Sequence, residues 1–387
     1  MTPIPYGRQD VTQDDIDAVV EILRSDFLTQ GPAVPAFEQT LQAHCQASHA
    51  VAFSNATAAL HIACRALEVG PGDLVWTSPI TFVASANCAL YCGAEVDFVD
   101  IDPRTWNMDP QALAAKLEQA SRSGRLPKVV IPVHLCGQSC DMRAIGALAA
   151  QYGFKVIEDA SHAIGGTYAG EPIGNCRHSD ITVFSFHPVK IITTGEGGAA
   201  LTRSDLLASR LRLLRSHGIT REAGLMQEPP HGDWYYEQID LGFNYRMTDM
   251  QAALGSSQAK RLEQVVAQRH RIAQRYDSLL ADLPLQLPWQ LPQTYSGMHL
   301  YVVLVGEQAG RDRKAVFDGL RADGILVNVH YLPVYRQPYY RQRVSCDPAQ
   351  FPHAEHYYAH AISLPMYPGL SEAQQDFICE RLAFYLA

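Results

Sequence analysis

The chain has 387 residues, and at roughly 150 residues per domain two domains are expected. Apolar residues make up 47% and charged residues 18%, the balance of a globular chain with a sizeable core and not of a disordered one. The 31 Lys and Arg against 40 Asp and Glu leave a net charge of −9. That lacks the basic footprint of a nucleic-acid binder, and no apolar run reaches the ~18 residues that a membrane span needs.

The start, Met1 to Tyr6, has no basic region followed by an apolar stretch, so no secretory signal is read and a cytoplasmic location is expected. The nine cysteines are scattered and odd in number, against a secreted disulfide framework. Cys88/Cys92 and Cys136/Cys140 have a C-x3-C spacing, and His356 and His360 can share a helical face behind His353. Buried thiols and solvated histidines are the expectation for both, and no metal.

In chain order, residues 11–23 read as a helix capped by Thr12, with Ile16, Val19, Val20 and Leu23 at helical spacing. A turn-rich segment, Phe27 to Pro32, precedes a second amphipathic helix from about Pro35. Then strand and helix alternate. Strands are expected at Ala50–Phe53, Leu74–Thr77, Glu95–Val99, Lys128–Val133, Lys155–Ile157, Ile181–Phe184 and Ala199–Thr202, and helices at 56–67, 82–91, 110–120 and 141–152. Such alternation predicts a mostly parallel sheet covered by helices. A long helix capped by Thr248 is expected over about 248–282. Pro284, Pro288 and Pro292 then mark a boundary. The reading is a large α/β domain over 1–283 and a smaller α+β domain over 284–387, the latter with a strand at Leu300–Val305, a helix near 311–323, a strand at Leu326–Tyr331 and a final helix from Ser371.

Ligands of open α/β sheets sit beyond the carboxyl ends of strands, and three strand ends carry chemistry. Ser54-Asn55-Ala56-Thr57 opens a helix whose free N–H groups suit a phosphate. Lys155-Val-Ile-Glu-Asp-Ala-Ser-His162 delivers two carboxylates, a serine and a histidine. A catalytic triad is a poor reading, because triad members usually come from distant parts of the chain. Asp159 serves better as a fixed anion facing a ring nitrogen. Finally, Phe184-Ser-Phe-His-Pro-Val-Lys190 puts a lysine in a loop stiffened by Pro188, ahead of a Gly-rich turn. No G-x-G-x-x-G opens a helix after a first strand, which argues against a dinucleotide-binding oxidoreductase. Together the three ends fit pyridoxal 5'-phosphate, which needs a lysine, a carboxylate opposite the pyridinium nitrogen and a phosphate cradle.

Ser185-Phe-His-Pro-Val-Lys190 with Gly195-Glu-Gly-Gly198, Glu158-Asp-Ala-Ser-His162 and Gly242-Phe-Asn-Tyr-Arg-Met247 resembles the DegT/StrS family of nucleotide-sugar aminotransferases. The resemblance runs along essentially the whole chain. It implies the aspartate aminotransferase (fold type I) architecture and a homodimer with active sites at the subunit interface. It implies that Lys190 forms the Schiff base, that Asp159 pairs with the pyridine nitrogen and that His162 lies near the ring. Phe82 would stack on the ring. Ala56, Thr57 and Ser185 would hold the phosphate, and Asn244 would reach the phosphate of the neighbouring subunit's cofactor. One departure is Ile191, where the family pattern has proline; it removes no functional group.

Within the family, Tyr6, Asp26 to Gly31, Pro132 to Asp141, His187-Pro188 and Val329-His330-Tyr331 resemble the branch of pseudaminic acid biosynthesis. That implies transfer of an amino group from L-glutamate to C4 of UDP-2-acetamido-2,6-dideoxy-β-L-arabino-hexos-4-ulose, giving UDP-4-amino-4,6-dideoxy-N-acetyl-β-L-altrosamine. Tyr6, Asp26, Phe27, Leu28, Thr29, Val329, His330 and Tyr331 would then hold the sugar nucleotide, with Arg246, Arg221 and His330 as candidates for the diphosphate. The alternatives are an aminotransferase for another keto nucleotide sugar, of perosamine or bacillosamine type, and a regulator that senses a ligand or binds DNA. The family's dehydratase branch has histidine where Lys190 stands, and the −9 charge opposes DNA binding.

Overall fold

The computed structural model describes residues 3–344 and 346–387. Its centre is a seven-stranded sheet in the order His49–Phe53, Gly198–Thr202, Ile181–Ser185, Lys155–Asp159, Val129–Ile131, Leu74–Thr77, Glu95–Phe98. Only Gly198–Thr202 runs against its neighbours; the other pairings are parallel. Parallel strands need crossovers, and the helices Ala56–Ala66, Ala84–Tyr91, Pro110–Ser123 and Met142–Tyr152 supply them.

Side chains alternate across a strand, so most of these strands feed two cores. Val51, Val75, Val129, Ile131, Ile157, Ile181 and Val183 pack with the helices at 56–66 and 84–91. Ala50, Ala52 and Phe184 face the opposite layer with Phe37 and Leu41, and Trp76, Val130 and Val156 face it with Leu113 and Leu117. The same parity fixes the site. Asp159, two residues after Ile157, points to the side of the helices at 56–66 and 84–91, and Glu158 points away to His134 (2.7 Å).

A three-stranded antiparallel sheet, Leu285–Gln286, Tyr301–Val305 and Ala361–Leu364, follows, with the helices Arg313–Ala322 and Glu372–Leu386. Its core takes in Ile4 and Ile272 to Leu280, while Leu300, Val302 and Leu304 pack into the core of the large sheet. Ile4–Pro5 pairs in parallel with Ile325–Leu326. We propose that the division at 283/284 separates two sheets and not two cores.

Two expectations are corrected. The helix expected over 248–282 is two helices, Asp249–Ala259 and Leu262–Leu280. Arg261 leaves helical geometry between them (φ −116°, ψ 17°), its guanidinium drawn to Asp10 and Asp15. The strand expected over 326–331 is only Ile325–Leu326, because the chain beyond it turns to line a cavity.

Candidate active site

The carboxyl edge of the large sheet opens into a cavity of about 850 Å³. On its phosphate-like side, Asn55 caps the helix Ala56–Ala66, its side-chain oxygen accepting from the Ala58 N–H at 2.8 Å. Intrahelical bonding cannot reach the first N–H groups of a helix, so those of Ala56 and Thr57 are left to the cavity that both residues line. Gly198 lies between Phe53 and Ser185 in the sheet. A Cβ on it would stand 2.5 Å from the Ala56 nitrogen, so glycine is what lets strand and helix start close up here. The cradle fits an anion: N–H donors and a helix dipole, with the Ser185 hydroxyl beside them.

Across the floor, Asp159 is buried and doubly held. One carboxylate oxygen accepts from the Ser161 N–H (3.1 Å) and hydroxyl (2.6 Å), the other from the Ser85 hydroxyl (2.6 Å). Lys190 is half-buried in the loop after Ile181–Ser185. Burial pushes its amine down to about 8, with the Asp159 charge acting the other way. Phe82 is 58% exposed towards this space, its ring 6.2 Å from that of Tyr331.

The remaining wall is aromatic and imidazole. His162 and His299 lie with ring centroids 4.4 Å apart, and both titrate well below the usual histidine range, through burial first and then neighbouring positive charge. His330 is pushed down to about 4 by burial and then by Lys190; its Nδ1 meets the Ser363 hydroxyl at 2.8 Å. The Tyr331 hydroxyl sits 3.3 Å from His162 Nε2, and burial raises the phenols of Tyr331 and Tyr6. At neutral pH the wall is therefore uncharged. The Nδ1 atoms of His162 and His299 are buried without a partner among the described residues.

The structure brings together most of the residues that the sequence singled out: Tyr6, Ala56, Thr57, Phe82, Asp159, His162, Ser185, Lys190, Val329, His330 and Tyr331 all line this one cavity. Asp26, Phe27, Leu28, Thr29 and Asn244 are not among its lining residues and are exposed. Thr29 bridges to Thr248 instead. Sequence reasoning missed Ser85, which follows the aromatic Phe82 by three residues, and His299, whose only signal was its place just before an apolar strand.

A lysine, a held carboxylate and an anion cradle around one floor fit a phosphorylated pyridine aldehyde. Residues 9–383 match the DegT/DnrJ/EryC1/StrS aminotransferase family. The chain belongs to that family. Aminotransferases of this family depend on pyridoxal 5'-phosphate, and solved structures similar to this chain include both PLP and PMP forms. The chain is 40% identical over 380 residues to the Bacillus subtilis spore coat polysaccharide biosynthesis protein SpsC, covering 97% of this chain and 95% of that one. It is 34% identical over 380 residues to a Campylobacter jejuni UDP-4-amino-4,6-dideoxy-N-acetyl-beta-L-altrosamine transaminase, covering 98% and 96%. The structure of Helicobacter pylori PseC, an aminotransferase of pseudaminic acid biosynthesis, superposes with a TM-score of 0.91 at 30% identity, covering 100% of this chain and 99% of that one.

Proposed function

We propose that this family member moves an amino group from L-glutamate to C4 of UDP-2-acetamido-2,6-dideoxy-β-L-arabino-hexos-4-ulose, giving UDP-4-amino-4,6-dideoxy-N-acetyl-β-L-altrosamine. The observation that carries the reading is the cavity itself, with Lys190, Asp159 and the Ala56 helix start on its floor and Tyr6, His330 and Tyr331 on the facing wall. The names of the Campylobacter and Helicobacter relatives support this acceptor. The greater identity to the spore coat protein favours, as the second reading, a keto-sugar nucleotide of another surface polysaccharide.

Bound pyridoxal phosphate supplies an electron sink, which lets nitrogen leave one carbon and join another. The chain's residues do the rest. Asp159 presents a fixed negative charge to the ring nitrogen. Ala56, Thr57 and Ser185 hold the phosphate, and Phe82 covers a ring face. Lys190, with an amine near 8, carries a proton at Nζ close to neutral pH, where a general base works best. His162, neutral through burial, accepts or donates a hydrogen bond without adding charge beside that amine. Tyr6, Val329, His330 and Tyr331 orient the sugar. Two half-reactions on one site make the kinetics ping-pong.

The enzyme works as a homodimer in this reading, with Asn244 and Asp26 to Thr29 serving the neighbouring subunit's site. Their exposure, and that of the apolar Phe27, Leu28 and Leu241, supports it. Among the described residues no helix is long and apolar enough to cross a membrane, which agrees with a cytoplasmic enzyme acting on small molecules. The test is amino transfer from glutamate across a panel of keto-sugar nucleotides after the glutamate half-reaction has bleached the visible band. Restoration of the band by the named UDP-sugar, and not by perosamine- or bacillosamine-type acceptors, is expected. Restoration only by another acceptor would move the enzyme to the second reading.

A further inference from the structure

We infer that Ser85, backed by Thr81, is a positioning residue for Asp159 and so for the ring nitrogen of the cofactor. The inference rests on Asp159 being the ring's partner and adds the group that aims it. Ser85 lies in the first turn of the helix Ala84–Tyr91, fully buried, and Thr81 is 2% exposed. The Ser85 hydroxyl is 2.6 Å from Asp159 Oδ2 and 2.7 Å from the Thr81 hydroxyl. An ionised carboxylate only accepts, so the chain has one direction. Thr81 donates to Ser85, and Ser85 donates to Asp159.

The geometry explains why this bond matters more than an ordinary buried one. Ser161 is close to Asp159 in sequence and fixes only Oδ1. Held on that oxygen alone, the carboxylate can still turn about its side-chain bonds. Ser85 reaches Oδ2 from a different element, 74 residues away in sequence, and fixes the plane. Its competing local partner, the Phe82 carbonyl at 3.3 Å, is the longer and weaker contact. A hydroxyl chain that ends on a charge is polarised along its length, so Thr81 strengthens the last bond. Phe82 lies between the two hydroxyl residues in sequence. One five-residue segment, Thr81 to Ser85, would therefore set both the face and the edge of the ring.

The test uses Ser85→Ala, Ser85→Thr, Thr81→Val and Asp159→Asn. The first readout is cofactor affinity, by titrating stripped protein with pyridoxal phosphate. The second is the pH midpoint of the loaded protein's visible band. Ser85→Ala should weaken cofactor binding roughly tenfold, the usual scale for a charge-assisted hydrogen bond. It should also raise the midpoint, because a ring nitrogen that holds its proton less firmly withdraws less charge from the far end of the ring. Ser85→Thr keeps the hydroxyl and should restore both, and Thr81→Val should give a smaller change of the same sign. Wild-type affinity and midpoint in folded Ser85→Ala would overturn the inference, as would a Ser85→Thr impaired equally. If Ser85→Ala failed to fold, unchanged values in Thr81→Val together with loss in Ser85→Thr would overturn it. An Asp159→Asn protein that bound cofactor and titrated like wild type would instead bring down the reading of Asp159.

Discussion

The amine of Lys190 gives the sharpest electrostatic test. Its value of about 8 leaves about a quarter of it neutral at pH 7.5, against about one in a thousand for an ordinary lysine near 10.4. The supply of free amine therefore rises roughly two-hundredfold. Burial causes the shift and Asp159 opposes it, so Asp159→Asn should lower the midpoint further. The assay is pulse labelling of cofactor-stripped protein with an amine-selective reagent between pH 6 and 11. Mass spectrometry of the Lys190 peptide is then set against exposed Lys314 as internal reference. Half-maximal labelling near 8, moving down in Asp159→Asn, is expected. A midpoint beside that of Lys314, or an upward move in Asp159→Asn, would refute the reasoning. The sign for stability follows from the same shift. The unfolded chain binds the extra proton between pH about 8 and about 10.4, so this lysine's cost is full below 8 and fades as pH rises through that window.

Other consequences follow from packing. Gly198→Ala should push back the start of the helix at Ala56, whose nitrogen the new Cβ would meet at 2.5 Å. Cofactor affinity, measured by equilibrium dialysis, should fall at least about tenfold, since the cradle's N–H donors would lose their aim. Gly255→Ala gains about 1 kcal/mol of helix propensity but would bring a Cβ to 2.7–2.8 Å of Phe37 and Thr194. Overpacking of about 1–3 kcal/mol should win, giving net destabilisation in urea unfolding that Phe37→Leu relieves. Arg269, 1% exposed, donates to the carbonyls of Met298, His299 and Met366 at 3.1–3.3 Å, and burial lowers it to about 10. Arg269→Met would orphan those carbonyls and should cost roughly 2–4 kcal/mol in the same assay. A loss under about 1 kcal/mol would mean that removing a buried charge offsets them.

Legibility followed distance along the chain. The strands of the large sheet were readable because they are short apolar runs, Val- and Ile-rich at Val129–Ile131, Lys155–Asp159 and Ile181–Ser185, and because crossover helices separate several of them. That Lys190, Asp159 and the Ala56 turn meet at one edge of the sheet was readable because each sits at a strand end with its neighbours contiguous. The helix Asp205–Arg215 went unread although Ser204 caps it and Leu207, Ala208, Leu211 and Leu214 repeat at helical spacing. The break at Arg261 could not be read, since the ion pair that accompanies it joins Arg261 to Asp10 and Asp15, some 250 residues away. Ser85 and His299 share that obstacle. Their contacts, with Asp159 and His162, are ones that only the folded sheet creates.

The residues that the single chain does not gather pose the opposite problem. Asn244 and Asp26 to Thr29 were marked by resemblance, yet they lie exposed outside the cavity. The proposed homodimer offers a reason: a residue that serves the partner's site must stand on the surface of its own chain. Mixing inactive variants decides the matter. Equal amounts of Lys190→Ala and Asn244→Ala protein, dissociated and reassembled, give half mixed dimers. If Asn244 acts across the interface, one of the two sites in each mixed dimer combines a native Lys190 with a native Asn244. About a quarter of full activity should then return. If Asn244 acts within its own chain, every site retains one defect and no activity returns.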